Sequence, residues 1–105
     1  MSEAPIVPLA IISPVRNEAQ YVRNTLDAMV AQTVRPTEWL FVDDGSTDDT
    51  RPIIESYAAK YPWIRVVSRD DRGFRQLGSG VIAAFDFGRS QLATQDYQYI
   101  AKLDG

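Results

Sequence analysis

Apolar residues in this chain fall into short continuous runs, separated by polar stretches in which apolar positions recur at helical spacing. Leu9-Ala10-Ile11-Ile12 is the first run. It is closed by Ser13-Pro14 and predicts a strand buried on both faces. Asn17 then offers an N-cap, with Gln20 three positions later in a capping-box arrangement. Val22, Leu26, Met29, Val30 and Thr33 follow at helical spacing, and Pro36 ends the predicted helix. Trp39-Leu40-Phe41-Val42 predicts a second buried strand, which runs into the acidic, turn-rich loop Asp43-Asp44-Gly45-Ser46-Thr47-Asp48. A second helix begins within 48–51, because Pro52 lacks an N–H and is tolerated only in a first turn. Ile53, Ile54, Tyr57, Ala58 and Tyr61 form its apolar stripe, and Pro62 closes it. Ile64-Arg65-Val66-Val67 is a third strand, followed by a polar loop over 68–80 carrying Arg69, Arg72 and Arg75. Val81, Ile82, Phe85 and Leu92 predict a third helix, weakened by Gly88. Tyr97 to Leu103 reads as a fourth strand, with Asp104-Gly105 after it.

The order β-α-β-α-β-α-β implies an α/β domain with a mostly parallel sheet. In such a sheet a ligand lies outside the carboxyl ends of the strands, where strand order reverses. An order of 3-2-1-4 would place strands one and four side by side at that point. The loops Pro14-Val15-Arg16-Asn17-Glu18, Asp43-Asp44-Gly45-Ser46 and Asp104-Gly105 would then converge on one crevice.

Composition removes several chemistries. The 105 residues suffice for one domain with a core, and 45% apolar with 24% charged residues is ordinary for a globular protein. The net charge of −3 has no basic block beside it, so nucleic acid is not an expected partner. No apolar run approaches the roughly 20 residues of a membrane helix. The start Met1-Ser2-Glu3-Ala4-Pro5 carries no secretory pattern, and a cytoplasmic setting is expected. Without Cys or His there is no thiolate nucleophile, no Ser-His-Asp triad and no His-ligated metal. Acid–base or metal chemistry must therefore use carboxylates.

Asp44 is the first candidate. A carboxylate at the end of the second strand can accept hydrogen bonds from a ribose or a base N–H, although Asp-Gly-Ser serves equally well as a turn or helix cap. The first loop lacks the Gly-x-Gly-x-x-Gly of a dinucleotide site, and no Walker-type loop is present. Its side chains, Pro14, Arg16 and Glu18, suit the lining of a base pocket instead. Asp104 could help hold Mg²⁺ or Mn²⁺ beside a diphosphate leaving group, or could be a solvated turn residue. Trp39, Trp63 and the tyrosines of the second helix read as packing residues.

At these residues the chain resembles the family 2 glycosyltransferases. Ile11-Ile12-Ser13-Pro14-Val15-Arg16-Asn17-Glu18 is similar to the family's opening strand and Pro-x-x-Asn-Glu turn. The stretch from Ala31-Gln32-Thr33 to Val42-Asp43-Asp44-Gly45-Ser46-Thr47-Asp48 is similar to its most recognisable signature. Tyr99-Ile100-Ala101-Lys102-Leu103-Asp104-Gly105 is similar to the strand leading into its Asp-x-Asp metal motif. The resemblance implies a Rossmann-like GT-A fold. It also implies transfer of a sugar, with inversion, from a nucleoside-diphosphate sugar to an acceptor hydroxyl, assisted by Mg²⁺ or Mn²⁺. UDP is the nucleotide expected first, although no residue here fixes the base.

By the same resemblance Pro14, Val15, Arg16, Asn17 and Glu18 would line the base pocket. Asp44 would bind base or ribose with Asp43 in support, Arg72 or Arg75 would approach the nucleotide, and Asp104 would be the first metal acid. Arg16 stands where the family often has an aromatic, and its guanidinium plane can stack on a base. The second metal acid and the catalytic base would follow Gly105. The chain is therefore expected to be the donor-binding part of a truncated transferase domain, inactive alone. Its uncovered sheet edge would favour self-association. Two alternatives stay open, a non-catalytic nucleotide- or partner-binding module and a receiver-like signalling domain.

Overall fold

The computed structural model describes residues 5–68, 88–93 and 97–103. In chain order the elements are β1 (Ile6–Val15), α1 (Ala19–Val30), β2 (Arg35–Asp43), α2 (Thr50–Ala58), β3 (Ile64–Ser68) and β4 (Tyr99–Lys102). A further helical segment occupies 88–91. The strands form one sheet in the order β3-β2-β1-β4, and every neighbouring pair is parallel. This is the α/β, Rossmann-like arrangement and the strand order expected from the chain.

The continuous apolar runs are buried as such runs should be. Ala10, Ile12, Leu40 and Val42 are fully enclosed. Alternate positions point to opposite faces. On one face Ile11, Val15, Trp39, Phe41 and Ile64 meet Val22 and Leu26 of α1 and Ile53 and Ile54 of α2. On the other, Ile12 and Val42 pack with Val67, Leu92 and Ile100. A fully buried aliphatic side chain contributes about 1.5–3 kcal/mol, so these two clusters dominate the fold's energetics.

Gly88 sits on the second face. A Cβ built there would stand 2.7 Å from Ile12 Cγ2 and 2.9 Å from Val42 Cγ2. Glycine is therefore what lets the segment at 88–91 lie directly on the sheet, and it is more than the helix weakener its propensity suggests. Val81, Ile82 and Phe85, expected on the same helix, lie outside the described residues.

Two prolines are placed differently from expectation, for one reason. Ser13-Pro14 does not close β1, since Pro14 aligns with Val42 and Val15 with Asp43. Ile12 O accepts from Leu103 N–H, so Ile12 faces β4. Pro14, two residues on, faces the same side, past the last β4 partner at Lys102. Its missing N–H therefore costs at most a bond at the ladder's end. Pro36 does not terminate α1, because it lies inside β2 and aligns with Val7. Arg35 N–H bonds Pro5 O on the β1 side, so Pro36 points the other way, where pairing with β3 starts only at Trp39. The helix itself ends at Val30, and Thr33 falls in the exposed connection.

The aromatic expectations hold. Trp39 is a core residue, its indole N–H donating to Ser13 Oγ at 2.9 Å and its ring 4.5 Å from that of Phe41. Tyr57 and Tyr61 are half-buried against the main cluster. The Tyr57 hydroxyl donates to Asp27, tying α2 to α1, and that carboxylate raises the phenol above its ordinary pKa. Trp63 is half-buried under the guanidinium of Arg35, 5.3 Å from its centroid. Glu38 is buried at 3% exposure and accepts from Arg65 at 2.6 Å and from Ala93 N–H at 3.0 Å. The pair fastens 91–93 to the sheet. No described helix is long and apolar enough to cross a membrane.

Candidate functional site

The carboxyl ends of β1, β2 and β4 lie side by side. Asp44 N–H donates to Val15 O at 3.0 Å, joining the ends of β2 and β1. Leu103 N–H donates to Ile12 O at 3.1 Å, joining β4 to β1. The loop before α1 and the loop before α2 therefore share a rim, as the 3-2-1-4 order requires.

On this rim Pro14 is half-buried, Val15 buried, Arg16 and Asn17 exposed and Glu18 half-buried. Asp43 is buried at 4% exposure, and its Oδ1 accepts from Ser46 N–H at 3.1 Å. That bond, to the amide three residues on, closes the turn in which Gly45 adopts the positive φ of 81°. Asp44 follows directly after β2, half-buried, with its Oδ1 enclosed. The structure thus brings together Pro14 to Glu18 with Asp43 and Asp44. Arg72, Arg75 and Asp104 lie outside the described residues, Asp104 immediately after the last of them.

Asn17 is not the N-cap of α1. That position is Glu18, which makes no side-chain cap bond, and Gln20 instead donates to Asn24 Oδ1 at 3.3 Å. Asn17 stands at φ 52° and aims its amide across to the other loop. Its Oδ1 accepts from Thr47 N–H at 2.7 Å and from Asp48 N–H at 3.2 Å. Its own N–H donates to Ser46 Oγ at 2.9 Å, and Glu18 N–H donates to the buried Thr50 Oγ1 at 2.8 Å.

Asp48 completes the lacing. It accepts from Thr50 N–H at 2.9 Å, from the Thr50 hydroxyl and from Ala19 N–H at 3.4 Å. One carboxylate thus serves the first turns of both helices, where orphan N–H groups and helix dipoles favour an anion. The Thr50 hydroxyl and then the Thr50 amide lower the Asp48 pKa below its ordinary 3.8. The Ser46-Thr47-Asp48-Asp49-Thr50 run announces cap and turn chemistry. Its partners across the rim are not readable from spacing.

Among the described residues no three His, Cys, Asp or Glu side chains gather into a set that could hold a metal. A concavity of about 410 Å³ involves Arg35, Lys60, Tyr61 and Trp63. It lies at the amino ends of β2 and β3, away from the rim. A receiver-like site would need an acidic pair after β1 and an Asp after β3, whereas Arg16-Asn17 follows β1 and β3 closes at Ser68.

Comparison with known proteins agrees with this geometry. An uncharacterised glycosyltransferase of Rickettsia typhi is 44% identical over 96 residues, covering 91% of this chain and 27% of its own length. The hyaluronan synthase of Pasteurella multocida is 31% identical over 93 residues, covering 87% of this chain and 10% of its own. The chain thus spans about a quarter or less of these curated relatives. A mannosyltransferase from Pyrobaculum calidifontis, solved with GDP-Man and Mn²⁺, superposes with a TM-score of 0.53 at 23% identity. That match covers 79% of this chain and 24% of the other. At that identity it speaks for the fold alone. The family model described as glycosyl transferase family 2 matches residues 10–105, and the chain belongs to that family.

Proposed function

We propose that this chain is the donor-binding part of an inverting glycosyltransferase, which moves a sugar from a nucleoside diphosphate to an acceptor hydroxyl. The observation that carries the reading is the rim itself. The Asp43–Asp44 turn and the Pro14–Glu18 loop are joined at Asp44 N–H to Val15 O, next to the end of β4. A carboxylate on such a rim can accept from a base N–H or from ribose hydroxyls, and the exposed Arg16 can stack on a base.

Asp104, one position past Leu103, would follow the end of β4 into the same crevice. With any carboxylate that follows it, Asp104 would hold Mg²⁺ or Mn²⁺, a role supported by the Mn²⁺ and GDP-Man in the Pyrobaculum mannosyltransferase. Such an ion, when bound, neutralises charge developing on a diphosphate leaving group. Arg72 and Arg75 would approach the same diphosphate. The catalytic base would be a further carboxylate brought to the same crevice.

The test is Asp44→Ala in the full-length protein. Hydrogen bonds to charged groups are worth about 1.5–3 kcal/mol. Affinity for the cognate nucleoside diphosphate, tried as UDP and as GDP, should therefore fall about 10- to 100-fold. The loss should persist in chelator, because Asp44 acts on the nucleoside. Asp104→Ala should lose affinity chiefly when Mg²⁺ or Mn²⁺ is present. Wild-type affinity in Asp44→Ala would remove Asp44 from the site.

A further inference from the structure

We infer that Asn17 is a positioning residue, which sets where the Asp43–Asp48 turn stands without touching the nucleotide; this rests on the proposed function. Its backbone and its side chain are both committed to the neighbouring loop. The Asn17 Oδ1 atom faces the amides of Thr47 and Asp48, at 2.7 and 3.2 Å, and the Thr47 hydroxyl at 3.3 Å. Two backbone N–H groups can only donate, so the side-chain atom that faces them is the carbonyl oxygen. The residue's φ of 52° is one that Asn and Gly tolerate and most side chains do not. Asn therefore meets two demands at once, a left-handed backbone and a short acceptor held at the right height.

The consequence for the site is geometric. The Asp43–Asp48 turn is fixed at its first end by Asp44 N–H on Val15 O and by Ser46 N–H on Asp43 Oδ1. Its far end is fixed by Asn17. With that acceptor removed, the turn keeps its strand anchor, the residue-17 N–H on Ser46 Oγ and the Ala19 N–H on Asp48, but the Thr47 and Asp48 amides lose their partner. Asp44 then samples more orientations, and a nucleoside must bear the entropy of restoring the bound one. The resemblance places Asn17 in the base pocket among Pro14 to Glu18. The structure gives its side-chain carbonyl a different task.

Two variants separate the backbone demand from the acceptor. Asn17→Gly keeps the left-handed conformation and deletes the acceptor. Asn17→Asp keeps both the conformational tolerance and an acceptor for two N–H groups, while deleting the amide donor that a ligand contact would use. Amide hydrogen exchange is read at Thr47 and Asp48 in this chain, with the global unfolding midpoint as control. Affinity for uridine and guanosine, which carry no phosphate for an added carboxylate to repel, is read in the full-length protein with chelator present.

Asn17→Gly should speed exchange at those two amides about tenfold and weaken nucleoside binding about as much, from the loss of hydrogen bonds of ordinary net strength. Asn17→Asp should restore both. Unchanged exchange in Asn17→Gly overturns the inference. So does an Asn17→Asp variant that regains protection yet binds nucleoside as poorly as Asn17→Gly, because the amide would then be touching the ligand. If the wild-type protein binds neither nucleosides nor nucleotides, the proposed function fails by itself, and the exchange measurement still decides whether Asn17 holds the turn.

Discussion

Replacing Gly88 with Ala sets two effects of opposite sign against each other. By propensity alone the change is favourable, since Gly in a helix costs about 1 kcal/mol relative to Ala. The structure reverses the sign. The new methyl would stand 2.7 Å from Ile12 Cγ2 and 2.9 Å from Val42 Cγ2, both on fully enclosed side chains. Neither neighbour is the free end of a flexible chain, as both are γ-methyls of β-branched residues in central strands. Something must shift, and overpacking of this kind costs typically about 1–3 kcal/mol. Net of the propensity gain, Gly88→Ala should destabilise by up to about 2 kcal/mol.

Urea unfolding followed by the fluorescence of the buried Trp39 reads this directly, as a lower midpoint at unchanged slope. Val42→Ala removes one of the two obstructing methyls. In that background Gly88→Ala should cost less, giving a coupling that a double-mutant cycle measures. A Gly88→Ala protein as stable as the wild type, or more so, would show that the segment does not press on the sheet and that propensity decides at this position.

Two further outcomes follow from the carboxylates. Because the Asp48 pKa is lowered in the folded state, its contribution is fully present above the ordinary 3.8 and is lost as pH falls through the lowered value. Urea midpoints of wild type and Asp48→Asn should therefore differ above that pH and converge below it, and a constant gap across the acid range would contradict the assignment. Glu38→Ala removes an acceptor at 3% exposure and leaves Arg65 and the Ala93 amide without it. Because Arg65 is about one-third exposed, the cost should be about 1–3 kcal/mol by urea unfolding rather than the larger value of a fully buried pair, with Glu38→Gln closer to wild type.

What the sequence reveals and what it hides divide along a physical line. The strands are legible because a two-faced environment demands uninterrupted apolar runs, and Ala10 to Ile12 and Trp39 to Val42 are such runs. The start of α2 is legible because Pro52 admits few helical positions, and it falls in the first turn. Features that depend on direction are not legible. Pro14 and Pro36 read as terminators, yet both lie in strands, because their missing N–H groups fall at or beyond the end of the ladder on the side they face. Glu38 and Arg65 look like surface charges until the sheet places them together. Asn17 has the composition of a helix cap, and only the fold shows that the amides it serves are those of Thr47 and Asp48.

The charge on the rim bears on how the proposed site would work. Residues 14–18 and 43–48 contain the acids Glu18, Asp43, Asp44 and Asp48 and the single cation Arg16, so four negative and one positive charge leave −3. That equals the net charge of the whole chain, gathered into two loops. Such a rim suits neutral donors, the hydroxyls of a ribose or the N–H of a base. It repels a diphosphate, at about 1 kcal/mol per unit pair at 4 Å in water and more where water is excluded. Two of the acids already hold the structure, Asp43 closing the turn on Ser46 and Asp48 binding Thr50 and Ala19, so removing them to relieve the repulsion would dismantle the turn. Under the proposed function the remedy has to come from cations brought to the rim: a divalent ion at Asp104, Arg72 or Arg75 from further along the chain, or both. Nucleoside recognition and diphosphate neutralisation are then separable tasks. This is why Asp44→Ala and Asp104→Ala should part company when the metal is chelated.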